Sequence, residues 1–247
     1  MSQIPISDQD RIPVAGYDLV DDLIGKVSFT DLTYLLITDG DLPNEDHRAI
    51  IDALLVTFAD HGVTPSSLAA RLTLLGAPEA FQSAVAAGLS GVGSRYLGTL
   101  ENSAEFLQRA IEESGGEDIS ILARSLVTRE RAAGRFIPGF GHPEHKRGDP
   151  RVPRLIEVTK RHGGFGVHCQ LLLEVGNAIA EDLRRSLPPN AAGFGGAMIS
   201  DLGWPPASAR GIALIARTAG LVGQLLDEQR KPTAQLIWDG LRDRESR

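Results

Sequence analysis

Apolar residues recur at helical spacing along most of this chain. Phe29, Leu32, Leu35 and Leu36 follow a serine cap at Ser28, and Gly40 closes that helix. Pro43-Asn44 opens a longer one with Ile50, Ile51, Leu54, Leu55 and Phe58 on one side, running to about His61. Pro65 starts another, striped by Leu68, Ala69, Leu72 and Leu75, and Pro78 begins the next after Gly76. Further periods predict helices from Ala104 to about Glu113, Ile119 to about Ala133, Val152 to His162, and Phe165 to about Leu187, where Pro188-Pro189 stops the run. Pro205-Pro206 opens the last long helix, carried by Ile212, Leu214, Ile215, Ala219, Leu221, Val222, Leu225 and Leu226 to about Gln229. No segment shows convincing strand alternation, a repeat period or a low-complexity linker, so the expected fold class is all-α.

Two stretches lack bulk: Ala84 to Gly98 and Asn190 to Ala197. Small residues there predict tight packing or a backbone bared to a ligand. The least core-like stretch is Ile137 to Arg151, with three glycines, three prolines and two histidines in fifteen positions. Gly139 and Gly141 flank Phe140, and His142, the side chain best suited to acid–base work near neutrality, follows directly.

With 247 residues, 42% of them hydrophobic, the chain has ample material for one large or two modest domains. The single cysteine, Cys169, excludes an intramolecular disulfide and agrees with a reducing compartment, so a cytoplasmic location is expected. The polar start Ser2 to Arg11 does not resemble a signal peptide, and no apolar run reaches membrane-spanning length, so no membrane partner is expected. A net charge of −7 removes the electrostatic footprint of a nucleic-acid partner but allows a local basic pocket for a small anion. Arg129-Glu130-Arg131 and Asp243 to Arg247 alternate in sign and read as solvated surface.

His142-x-x-His145, with Glu144 and Asp149 nearby, raises a metal site, but helical zinc pairs are spaced i, i+4 and Pro143 and Gly148 make this a loop; no metal is expected. The glycines have no preceding strand and no following Lys-Ser/Thr, so they do not form a phosphate cradle of the P-loop or dinucleotide type. On its own, His142 reads equally as a loop-capping histidine or a catalyst. His61, at a helix end before Gly62, reads as a cation against the helix dipole or as a site residue. Arg217 is more telling. It lies one helical step from Leu214 and Leu221 in a strongly apolar helix, where an unpaired cation is costly, so it needs an anion. That anion is a structural carboxylate or a substrate carboxylate held bidentately, and Arg151 is a second candidate for the latter.

Together these pieces resemble a known family. Gly139-Phe-Gly-His142, followed by Lys146 and Asp149-Pro-Arg151, resembles the Gly-Phe/Tyr-Gly-His…Asp-Pro-Arg signature of citrate synthases and their citryl-CoA lyase relatives. Asp60-His61-Gly62 is similar to the family's Asp-His segment, and Ile215 to Val222 is similar to its helix carrying a substrate arginine. Gly93-Ser-Arg-Tyr-Leu-Gly98 falls where the family has Gly-Pro-Leu-His-Gly-Gly. Several motifs in the right order, from about Tyr17 to Gln235, make a specific signal.

The resemblance implies a helical large domain, 1–97 with 204–247, an inserted smaller helical domain, 98–203, a cleft between them, and a homodimer. It implies a CoA thioester as substrate or product against Ile137, Pro138, Gly139, Phe140 and Gly141. The hydroxy or keto acid half would be held by His61, Arg151 and Arg217, with His142 exchanging the proton on its oxygen, and no metal or redox cofactor. Three positions depart from the family pattern. Tyr96 stands where the family has the histidine that hydrogen-bonds the thioester carbonyl, Ala192 where it has the aspartate that takes the methyl proton, and Thr233 where it has an arginine from the partner subunit. Alanine cannot act as a base, whereas Tyr96 can still donate to an enolate oxygen. The expected activity is therefore citryl-CoA lyase-like cleavage of a carboxylated 3-hydroxyacyl-CoA to acetyl-CoA and a 2-keto acid such as oxaloacetate. A citrate synthase-like enzyme with a different, less carboxylated substrate and a non-catalytic CoA-ester-binding member are the alternatives.

Overall fold

The computed structural model describes residues 11–141, 145 and 148–245. It opens with a minimal antiparallel hairpin, β1 (Pro13–Val14) and β2 (Tyr17–Asp18), turned by Ala15 and Gly16 at positive φ. Strands of two residues leave no alternation to detect, so the sequence pattern misses them. A π turn at Leu19–Leu23 leads into α1 (Phe29–Ile37), α2 (Glu45–Ala59), α3 (Pro65–Gly76) and α4 (Phe81–Ser90). A second π turn, Gly93–Leu97, precedes α5 (Gly98–Glu113) and α6 (Ile119–Ala132). After the glycine- and proline-rich loop come α7 (Arg151–Arg161), α8 (Val167–Leu183), α9 (Ala191–Asp201), α10 (Pro206–Arg230) and α11 (Ala234–Glu245). The fold is all-α, as the periodicity predicts.

The helices start where the sequence supplies caps. Ser28 and Asp31 form a reciprocal capping box, Asn44 accepts from the His47 N–H, and Thr64 pairs with Ser67 in a second box. Two helices were not predicted. α9 is rich in glycine and alanine and has poor intrinsic propensity, yet its residues from Gly193 to Ser200 are all buried. A Cβ on Gly196 would meet the Leu100 carbonyl at 2.6 Å, so close packing on α5 takes the place of propensity. α11 receives its cap from the preceding helix: the Glu228 carboxylate accepts from the Thr233 N–H at 2.7 Å and the Ala234 N–H at 2.8 Å. Burial would raise the Glu228 pKa, but these N–H groups, the Thr233 hydroxyl and Arg71 hold it down at about 2. The Arg129-Glu130-Arg131 segment is likewise not plain solvated surface. Glu130 is buried and accepts from Arg135 Nε at 2.6 Å, a hydrogen bond that lowers its pKa.

The main core joins α1, α2, α5 to α9 and the first half of α10, ending at Ala216. A smaller core joins α3, α4 and the second half of α10 through Ala70, Leu74, Ala84, Leu221 and Leu225. Arg217 falls at the junction of the two. Among the described residues no helix is long and apolar enough to cross a membrane.

The crossing of α2 and α10 depends on Gly220, where a Cβ would lie 1.7 Å from the Ala59 carbonyl oxygen. Gly220→Ala is expected to destabilise the protein by about 2 kcal/mol through forced backbone separation. Gly223→Ala in the same helix, where nothing lies within 4 Å of the added carbon, is expected to be neutral or slightly stabilising. Urea unfolding of the two variants checks the contrast.

Candidate active site

The loop beginning at Ile137 lies against the start of α9. The Asn190 N–H donates to the Gly139 carbonyl at 2.9 Å, and Asn190 Nδ2 donates to the Gly141 carbonyl at 2.6 Å. Phe140 and Pro189 form a single β-bridge. Gly139, at φ 90°, approaches Gly193 so closely that a Cβ on either would overlap the other's backbone. Glycine is needed at both positions, one for its dihedral and both for the contact. Asn190 was not singled out in the sequence, although an asparagine before Ala-Ala-Gly is a helix-cap signal; its Oδ1 accepts from the Gly193 N–H at 2.8 Å.

Beside this loop is a cleft of about 540 Å³, whose wall includes His61, Tyr96, all five residues from Ile137 to Gly141, Arg151, Asn190, Ala192 and Arg217. The structure thus brings His61, Tyr96, Ile137 to Gly141, Arg151, Ala192 and Arg217 to one cleft, while His142 and Glu144 lie outside the described residues. His61 meets His145 with ring centroids 5.6 Å apart and nearly edge-on. Tyr96 is 45% exposed, and its hydroxyl has no hydrogen-bond partner among the described residues. Asn190 and Ala192 bring the N-terminal turn of α9 to the wall, and a helix N-terminus favours an anion.

The two arginines differ. Arg151 is engaged: its Nε and Nη2 donate to the two oxygens of Asp149 at 2.9 and 2.8 Å. Asp149 also accepts the backbone N–H groups of Arg151 and Ala191. Burial alone would raise this carboxyl, but the Arg151 guanidinium and the two N–H groups lower it to about 2. Arg217 is only 7% exposed, and its Nε has no hydrogen-bond partner among the described residues. Burial lowers its pKa, the Asp60 charge opposes that, and the Arg151 charge adds to it. A buried guanidinium with an open donor is a site prepared for an anion.

Among the described residues the cleft wall contains no Asp or Glu. Ala192 offers only a methyl group, and the carboxylates Asp201 and Glu101 are engaged elsewhere. Asp201 accepts from the N–H groups of Gly166, His168 and Cys169 and from the His168 ring, so it caps α8. Glu101 pairs with Arg210 at 2.5 Å. Thr233 lies in the Glu228 and Arg71 network at the start of α11. No group of three His, Cys, Asp or Glu side chains suited to a metal occurs among the described residues.

The family model for citrate synthase, C-terminal domain, matches residues 33–238. Citryl-CoA lyase from Hydrogenobacter thermophilus has a similar structure, with a TM-score of 0.79 and 30% identity, over 87% of this chain and 81% of that one. ATP citrate lyase from Methanosaeta concilii, solved with (3S)-citryl-CoA, aligns with a TM-score of 0.75 and 25% identity over 93% of this chain and 39% of that one. Citrate synthase 2 of Bacillus subtilis is 23% identical over 198 residues, 79% of this chain and 51% of that protein. The chain spans about half the length of the curated relatives it matches.

Two outcomes test this geometry. Asp149 is held at about 2, below its ordinary 3.8, so its contribution to stability is present above pH 4 and is lost as pH falls towards 2. Asp149→Asn is expected to be less stable at pH 7 and to show a flatter stability profile between pH 4 and 2, by about 1–2 kcal/mol, in urea unfolding. Arg217→Met removes a buried cation whose Nε has no hydrogen-bond partner among the described residues and is expected to raise the melting temperature, read by thermal shift.

Proposed function

The chain belongs to the citrate synthase family, and on that premise we propose that it is a citryl-CoA lyase-like enzyme. It cleaves a carboxylated 3-hydroxyacyl-CoA to acetyl-CoA and a 2-keto acid such as oxaloacetate. The observation that carries this reading is Arg217, buried, open at Nε, and set in a cleft wall without Asp or Glu among the described residues. In the proposed step His142 removes the hydroxyl proton of the substrate. The electrons of that O–H bond form the keto carbonyl, the carbon–carbon bond breaks, and its electron pair passes into the thioester as an enolate. Tyr96 donates to the enolate oxygen, water supplies the proton to carbon, and the hydroxide so formed takes back the proton held by His142. Arg217, with His61 and the donors of Arg151 not engaged by Asp149, holds the acid half. Ile137 to Gly141 present main chain to CoA.

Cleavage suits this site better than synthesis. Synthesis begins by removing a methyl proton from acetyl-CoA, and Ala192 is no base for it. Microscopic reversibility limits both directions, so turnover is expected to be slow. The engagement of Arg151 by Asp149 favours a second reading, in which the acid half has one carboxylate fewer. The lack of a carboxylate base favours a third, a CoA-ester-binding protein without turnover. We further propose a homodimer in which residues 98–203 form a smaller domain against 1–97 and 204–247. The proposed protein is cytoplasmic, takes small-molecule ligands only, and uses no metal or redox cofactor.

Incubation with citryl-CoA is expected to release acetyl-CoA at a rate well above that of a His142→Ala control. Equal release from both would sink the catalytic reading, and tight CoA-ester binding without release would favour the binding protein.

A further inference from the structure

Arg217 has a carboxylate close enough for its charge to be felt, yet the two form no ion pair. Asp60, the residue that ends α2, supports the charged form of Arg217, while Arg217 Nε is without a hydrogen-bond partner among the described residues. Gln224 lies further along the same face of α10. Gln224 Nε2 donates to both oxygens of Asp60, at 3.0 and 3.1 Å.

The orientation of that amide is fixed from its other side. Arg71 Nε donates to Gln224 Oε1 at 3.0 Å, and Nη2 donates to the same oxygen. A guanidinium only donates, so the amide oxygen must face Arg71 and the amide nitrogen must face Asp60. Arg71 is held in turn by Glu228, Asp227 and Thr233. The backbone completes the arrangement. Arg217, Gly220 and Gln224 share one face of α10, and Gly220 admits the Ala59 carbonyl where a Cβ would stand. The end of α2 is thereby seated on α10 with Asp60 at Gln224.

We propose that Gln224 is a positioning residue that holds the Asp60 carboxylate off Arg217 and so leaves that guanidinium open to a ligand carboxylate. The inference rests on the assignment of Arg217 to the acid half of the substrate. It assigns a role to a side chain outside the cleft wall, and to the Arg71 network behind it, as the support of the anion site.

Gln224→Glu isolates the contact. Glutamate still accepts from Arg71, but it replaces the donor facing Asp60 with a second negative charge. Asp60 then turns to Arg217, the cation whose field it already feels, and competes with the ligand. Isothermal titration of the full chain with citrate and, separately, with CoA provides the test. Citrate affinity is expected to fall roughly tenfold in Gln224→Glu, as for loss of one charge-assisted contact, with CoA affinity unchanged. Adding Asp60→Asn to Gln224→Glu is expected to restore citrate binding, because the amide has no charge to pair with Arg217. Gln224→Met carries the same citrate-selective test if the charged variant does not fold. Unchanged citrate affinity, equal loss of citrate and CoA, or no recovery in the double variant would overturn the role of Gln224. Wild-type protein that binds CoA but no citrate would instead overturn the assignment of Arg217, and this inference with it.

Discussion

The architecture of the cleft depends on the bonding of one buried carboxylate. Asp149 accepts from the Arg151 side chain and from the N–H groups of Arg151 and Ala191, so it joins the end of the loop, the first turn of α7 and the first turn of α9. A carboxylate with so many donors has no rotational freedom left. The guanidinium of Arg151 is therefore held in one plane, and the start of α9 is held against the loop. The contact of Gly139 with Gly193 depends on the same alignment, since neither glycine has a side chain to direct the approach. Remove the carboxylate, and three chain segments lose their common anchor.

What the sequence revealed, and what it did not, follows from where each stabilising partner lies. α1, α2 and α3 were legible because cap and apolar stripe lie within a few residues of each other at Ser28, Asn44 and Thr64. α9 was not, because its glycines are stabilised by α5 and the loop, distant in sequence. α11 was not, because its cap is a glutamate in the preceding helix and, of its side chains described, only Ala234 is buried. Glu130 was misread for the same reason: a charge in an alternating run looks solvated until a partner such as Arg135 is seen to cover it.

The site shows the same division. The loop declared itself through its glycines and prolines, and Arg217 through being a cation on an apolar helix. The gathering of His61, Tyr96, Arg151 and Arg217 around one cleft was legible only through the family resemblance, since no local pattern relates positions so far apart. The control of Asp60 was not legible at all. Gln224 is an ordinary polar residue in a helix, and only the fold shows that its amide donates to Asp60.

The proposed separation of Asp60 from Arg217 bears on how a cation persists at the junction of two cores. Burial opposes the charge of Arg217, and direct pairing with Asp60 would relieve the cost but close the site. Holding Asp60 at a distance keeps part of its favourable field while leaving the donor open. A carboxylate at position 192 would add a second competitor for the same charge, so the alanine there leaves the cationic wall, among the described residues, without an anion of its own.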